Sequence, residues 1–184
     1  MSALESIQWV DVEDYLLGER DGQVRHEFVA GRVYAMTGGS VYHNRIALAF
    51  ASVLRDKLGN RPCDVFMADM QVRAQQAYYY PDVMVVCDPQ DRDPYTKISP
   101  LLIAEVISPT TRSIDEREKR GAYLGLESLR EYLLIEQDRA EVRVIRRLNT
   151  GAWTEEAYGL DGEIRLESLG LDIAMRHLYE GAWR

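Results

Sequence analysis

The chain has 184 residues, 46% of them apolar and 28% charged, with a formal net charge of −8. That length suits one domain burying about two thirds of its unfolded surface, and no run of about 18 apolar residues is present to cross a membrane. The acidic balance argues against nonspecific coating of nucleic acid, which needs a broad basic surface, and leaves room for a local cationic cleft.

The start, MSALESIQWVDVEDYL, has neither the basic end nor the apolar core of a signal peptide, so a cytoplasmic location without a membrane partner is expected. A short amphipathic helix ends in the GERDG punctuation at residues 18–22. RHEFVAGRVYAMTGG then alternates as a β-hairpin turning at Ala30-Gly31. Together these form an N-terminal cover, about residues 1–38.

From Ser40 to Leu58 the apolar residues Ile46, Ala49, Phe50, Val53 and Leu58 recur at helical spacing, with Ser40 as N-cap and Gly59-Asn60 as the stop. DVFMADMQVRA alternates as one strand, and YYYPDVMVVC and LLIAEVIS are two more. The last two are too uniformly apolar for a solvated edge and belong in the middle of a sheet. A polar connection, 88–100, joins them. Ser113 and Glu116 have the form of a capping box, so a helix is expected over 114–126. EYLLIE and AEVRVIR read as strands of a hairpin across Gln137-Asp138-Arg139. The glycine-punctuated tail from Trp153 reads as short strands or turns. The order implies an α/β fold with a mixed central β-sheet flanked by helices: one domain, with a core of about 40–147 and a C-terminal part of about 150–184.

Cys63 and Cys87 are far apart in sequence and outside any C-x-x-C arrangement, so they read as small apolar residues rather than a disulfide framework or zinc cluster.

The chemistry concentrates where carboxylates interrupt apolar strands. Glu105 stands inside LLIAEVIS and Asp82 inside YPDVMVV. Moving a carboxylate out of water costs several kcal/mol unless something compensates it. On neighbouring strands the two would lie roughly 5 Å apart and repel by roughly 3 kcal/mol at an effective dielectric of about 20. A hard cation such as Mg²⁺ or Mn²⁺ answers that repulsion, and it is also how metal-assisted phosphodiester hydrolysis is built. Asp115, Lys119 and Tyr123 fall at i, i+4 and i+8 and so share one helix face; with that helix packed back across the strand it has just left, Lys119 would reach the carboxylates. The bland readings are a turn carboxylate after Pro81 and, for Lys119 within DEREKR, a solvated helix face.

The series Y-P-D-V-x-V-V, I-A-E-V-I-S-P-T-T, D-E-R-E-K-R-x-x-Y and E-Y-L-L-I-E resembles the Uma-type family of restriction endonucleases, within the PD-(D/E)XK phosphodiesterase superfamily. The resemblance runs from about Phe28 to Arg146. It implies a restriction-endonuclease-like core and a metal-dependent endonuclease acting on DNA. Asp82 and Glu105 match the two acidic positions, and Val106 would offer its main-chain carbonyl to the metal. Ile107 stands where the superfamily's lysine usually falls, so the catalytic lysine would be Lys119. The first core helix lacks the glutamate common in the superfamily, leaving His43 or Asn44 in its place. Ser108 and the hydroxyls after it are further candidate neighbours of the site. Arg112, Arg117 and Arg120 are candidates for contacting DNA, and a homodimer is compatible with the sequence. A catalytically degenerate nucleic-acid-binding or protein-interaction module on the same scaffold is the alternative.

Overall fold

The computed structural model describes residues 9–36, 38–108, 112 and 114–184. Helix α1, Val12–Asp21, is capped by Asp11, whose side chain accepts from Glu13 N at 2.8 Å. Strands β1, His26–Val29, and β2, Arg32–Ala35, form the expected hairpin. Its turn places Ala30 at φ 46° and Gly31 at φ 84°, the left-handed pair that matches strand twist in a two-residue hairpin loop. Helix α2, Val41–Leu58, starts at Ser40, whose hydroxyl accepts from His43 N, and stops at Gly59 with φ 55°.

The sequence DVFMADMQVRA was expected to be one strand and is two: β3, Asp64–Met67, and β4, Gln71–Ala74, lie in different sheets. Asp69 between them has φ 79°, which no continuous strand tolerates. YYYPDVMVVC divides in the same way into β5, Ala77–Tyr79, and β6, Val83–Val86. Pro81 has no N–H to give a ladder, so the chain changes sheets there. The connection 88–100 contains a two-residue strand, β7, Thr96–Lys97, parallel to β4.

Strand β8, Pro100–Ile107, is the long apolar strand. A π-helical turn, Ile114–Lys119, runs into α3, Arg120–Leu124, a shorter and wider helical segment than expected. The Ser113 cap and residues 109–111 fall outside the described residues. Strands β9, Glu131–Glu136, and β10, Glu141–Arg147, form the expected hairpin. The tail resolves into β11, Trp153–Gly159, a hairpin of β12, Glu163–Leu166, and β13, Leu171–Ala174, and helix α4, Arg176–Tyr179.

These strands make a six-stranded mixed sheet in the order β11-β10-β9-β8-β6-β3 and a five-stranded sheet in the order β2-β1-β5-β4-β7. Alternation along β8 sends Leu102, Ala104 and Val106 to one face of the large sheet, against α2, α4 and the β12–β13 hairpin. Ile103 and Ile107 face the other way, onto Tyr79 of the small sheet and Tyr123 of α3. Glu105 therefore points into the layer between the two sheets. The N-terminal hairpin completes the small sheet through the β1–β5 ladder.

Cys63 and Cys87 form a disulfide, contrary to the reading of two separate apolar cysteines. The antiparallel β3–β6 ladder pairs Asp64 with Val86, so the next residues outward meet across it with Cα atoms 4.0 Å apart. That register is invisible in their spacing of 24 residues.

Candidate active site

The β6–β8 ladder pairs Val83 with Ala104, and one step further Asp82 stands across from Glu105. Asp82 N approaches Glu105 Oε2 at 3.4 Å, and Val106 N donates to Asp82 Oδ2 at 2.7 Å. The break at Pro81 thus frees Asp82 from the ladder, and its carboxylate caps the neighbouring strand's amide. Asp82 Oδ1 lies 2.9 Å from His43 Nε2. His43 sits in the first turn of α2, where a Cβ at Gly39 would come within 2.8 Å of its Cδ2; only glycine admits the ring in this position.

Glu105 is 3% exposed. Its Oε1 accepts from Tyr123 Oη at 2.9 Å and lies 3.5 Å from Lys119 Nζ. Burial, and then the charge of Glu105, push the Tyr123 hydroxyl far above its ordinary pKa, so it remains a donor across the working pH range. Lys119, 7% exposed, also meets Glu27 Oε1 at 2.8 Å and lies 5.9 Å from the centre of the Tyr79 ring. Lys119 and Tyr123, read from sequence as sharing a helix face, both arrive at Glu105. The side chain of Asp115 falls outside what is described, and Ser108 directly follows β8 at half-buried depth.

Glu27 is the site residue that sequence reasoning missed. It lies in a four-residue strand, on the face of β1 opposite Phe28, which packs on Tyr15 and Tyr78. Pairing of β1 with β5 places Glu27 beside Tyr79, on the side of α3. The available signal was the parity of HEFV, which sends Glu27 and Phe28 to opposite faces.

Three carboxylates, Glu27, Asp82 and Glu105, therefore face one ammonium and one imidazole. Among the described residues no group of three or more His, Cys, Asp and Glu side chains is arranged as a metal cage. The donor set is two carboxylates on adjoining strands beside the main chain, hard oxygen ligands of the kind Mg²⁺ takes with water.

The arginines are placed differently. Arg112 is held by Glu136 through two hydrogen bonds of 2.7 and 2.6 Å and by Glu116 at 3.2 Å. Hydrogen bonding to Glu136, stronger than the opposing effect of burial, raises the Arg112 pKa. Arg120 pairs with Glu155 at 3.0 Å. Arg117 is exposed. The structure does not gather these three into one open basic cleft.

The family model for the Uma2 restriction endonucleases, described as "putative", matches residues 12–176. The chain belongs to the Uma2 family. Two uncharacterized Synechocystis sp. proteins are similar along most of their length: slr1290, 32% identical over 92% of this chain and 90% of its own, and sll1609, 29% identical over 89% and 96%. Among solved structures, a DUF820 protein from Anabaena variabilis, described as a "putative nuclease", superposes with a TM-score of 0.77 at 16% identity. The match covers 94% of this chain and 99% of that one. At that identity the likeness shows the fold, the mixed α/β arrangement of sheets and helices expected from the sequence. Among the described residues of this Uma2 chain, no helix is long and apolar enough to cross a membrane.

Proposed function

We propose that this protein is a metal-dependent nuclease that hydrolyses phosphodiester bonds, with DNA as its substrate. The observation that carries this reading is the juxtaposition of two carboxylates, Asp82 and Glu105, on adjoining strands at the edge of an apolar layer, beside the Lys119 ammonium. Membership of the Uma2 family supports it. Asp82, Glu105 and the Val106 carbonyl would hold Mg²⁺ or Mn²⁺. When bound, such an ion supplies Lewis-acid stabilisation of phosphoryl oxygens and lowers the pKa of water.

The chain's own groups prepare the rest. Val106 N–H fixes the Asp82 carboxylate, and Tyr123 O–H fixes the rotamer of Glu105. Glu27 holds the Lys119 ammonium beside Glu105, where it orients the attacking water and stabilises charge developing on the phosphate. His43 Nε2, 2.9 Å from Asp82 Oδ1, holds the other oxygen of that carboxylate.

The test is cleavage of supercoiled and single-stranded DNA with Mg²⁺ or Mn²⁺ by purified wild type, Asp82→Asn and Glu105→Gln. Wild type is expected to cut, and each variant to lose at least about 10²-fold, as for loss of a group acting in the transition state. Equal rates in wild type and Glu105→Gln would refute the assignment. Metal binding without cleavage by any form would favour the degenerate module.

A further inference from the structure

A second site lies on the far face of the small sheet from Lys119. Alternation along β5 sends Tyr79 to Tyr123 and Tyr78 to Tyr15 of α1. The β4–β5 register sets Arg73 directly across from Tyr78. Between these two residues, the end of α1 and the loop 93–98 is a cavity of about 370 Å³, within the size range of small-molecule sites.

The floor of the cavity is built and satisfied. Gln71 Nε2 donates to Tyr15 Oη at 2.7 Å, Thr96 Oγ1 donates to Gln71 Oε1 at 2.9 Å, and Tyr80 Oη donates to Glu19 Oε1 at 3.0 Å. Its carboxylates are already engaged. Glu19 also accepts from His26 N at 2.8 Å, and Asp93 accepts from Tyr95 N and Thr96 N, both at 2.8 Å, which hold its carboxyl below the usual pKa. Asp69 lies 3.6 Å from Arg25. The cations are less committed. Arg20 lies over the Tyr95 ring, 5.2 Å from its centre. Arg73 is exposed and enters no ion pair among the described residues. The wall offers aromatic surface from Tyr78 and Tyr95 next to an open guanidinium fork, and that combination suits a planar ring carrying an anion.

We propose that this cavity binds one nucleotide unit, its base against Tyr95 and Tyr78 and its phosphate on Arg73. Phosphate alone leaves the tyrosines unused, and a nucleoside leaves Arg73 unused. The unit is either a free nucleotide or one residue of a strand. Tyr80, in the cavity wall, precedes Asp82 by two positions, at most about 7 Å of extended chain. The binding claim stands apart from the nuclease reading, because it needs neither metal nor Asp82.

Calorimetry without divalent metal, using 2′-deoxyadenosine 5′-monophosphate, deoxyadenosine and inorganic phosphate on the whole protein, tests it. The mononucleotide is expected to bind one-to-one, with affinity falling about tenfold in Arg73→Gln and about tenfold in Tyr95→Ala. Phosphate binding should depend on Arg73 and deoxyadenosine binding on Tyr95. Both side chains are exposed, so the variants should unfold at wild-type temperatures. Glu105→Gln should bind as wild type does. Displacement of the mononucleotide by a single-stranded oligonucleotide would identify the strand as source, and failure to displace it a free nucleotide. Absence of mononucleotide binding, or binding unaltered in both Arg73→Gln and Tyr95→Ala, would overturn the proposal.

Discussion

Glu105 on β8 and Glu136 on β9 are both buried acids on neighbouring apolar strands, yet one is grouped with other acids and the other with arginines. Glu136, with no exposure, is surrounded by Arg112, Arg139 and Arg143, at 2.6, 2.9 and 3.8 Å. Glu131, at the other end of β9, is matched by Arg146 at 2.9 Å, the amides of Glu167 and Ser168 and the Ser168 hydroxyl. Around Glu105 further acids gather instead, Asp82 on the adjoining strand and Glu27 through the Lys119 ammonium that it shares with Glu105. Burial alone does not separate a structural carboxylate from a functional one. The juxtaposition of like charges on adjoining strands does, because bringing two carboxylates together costs stability that a fold alone has no reason to give up.

The largest effect should come from the arginine-rich side. Glu136→Gln leaves three guanidinium groups without their common anion, and a loss of about 3 kcal/mol is expected in urea unfolding, the lower range for breaking a buried pair. Glu105→Gln, examined the same way without metal, is expected to change stability by less than about 1 kcal/mol, because it relieves repulsion and keeps an acceptor for Tyr123. Equal losses in the two variants would erase the contrast.

Next in size is Lys119→Met. Removing the shared ammonium strands Glu27 and Glu105, so a loss of about 2 kcal/mol is expected without metal. Mn²⁺ should restore part of the melting temperature, and so should the added change Glu27→Gln. A variant that melts like wild type would show that the ammonium does not offset the repulsion between the two acids.

Acid should weaken the arginine-rich side gradually. Burial opposes ionisation of Glu116, but hydrogen bonds and charge from Arg143 and Arg112 outweigh it and hold its pKa down; Glu141 is held down by Arg139. A carboxylate with a depressed folded pKa contributes stability that is full above its unfolded value of about 4.3 and is lost as pH falls through the folded value. Urea midpoints should therefore fall below about pH 5, and Arg143→Met should flatten that slope. The smallest effect expected is that of Gly39→Ala, which should displace the His43 ring from Asp82 and move the His43 ring resonances in NMR while the melting temperature barely moves.

Much of this site was legible because its signals are local. The Ala30-Gly31 turn, the Ser40 cap and the apolar run around Glu105 each follow from chemistry within a few residues. Helical spacing sufficed to carry Lys119 and Tyr123 to the same carboxylate. What escaped depends on strand register. Nothing in VFMADMQV announces that Asp69 takes a positive φ and sends β4 into another sheet, and nothing in the cysteine spacing sets Cys63 across from Cys87. Glu27 was hidden because its role requires the hairpin to join β5. The partners that hold Arg112 and Arg120, Glu136 and Glu155, come from strands whose place beside the helix no local pattern reveals.

Calorimetric titration with Mn²⁺ of the wild type, Asp82→Asn and Glu105→Gln tests the paired-carboxylate account most directly, with Arg112→Lys as a variant altered on the arginine-rich side alone. Saturable binding is expected in the wild type and Arg112→Lys and should vanish in both carboxylate variants. Equal Mn²⁺ binding in all four proteins, or none in the wild type, would contradict it.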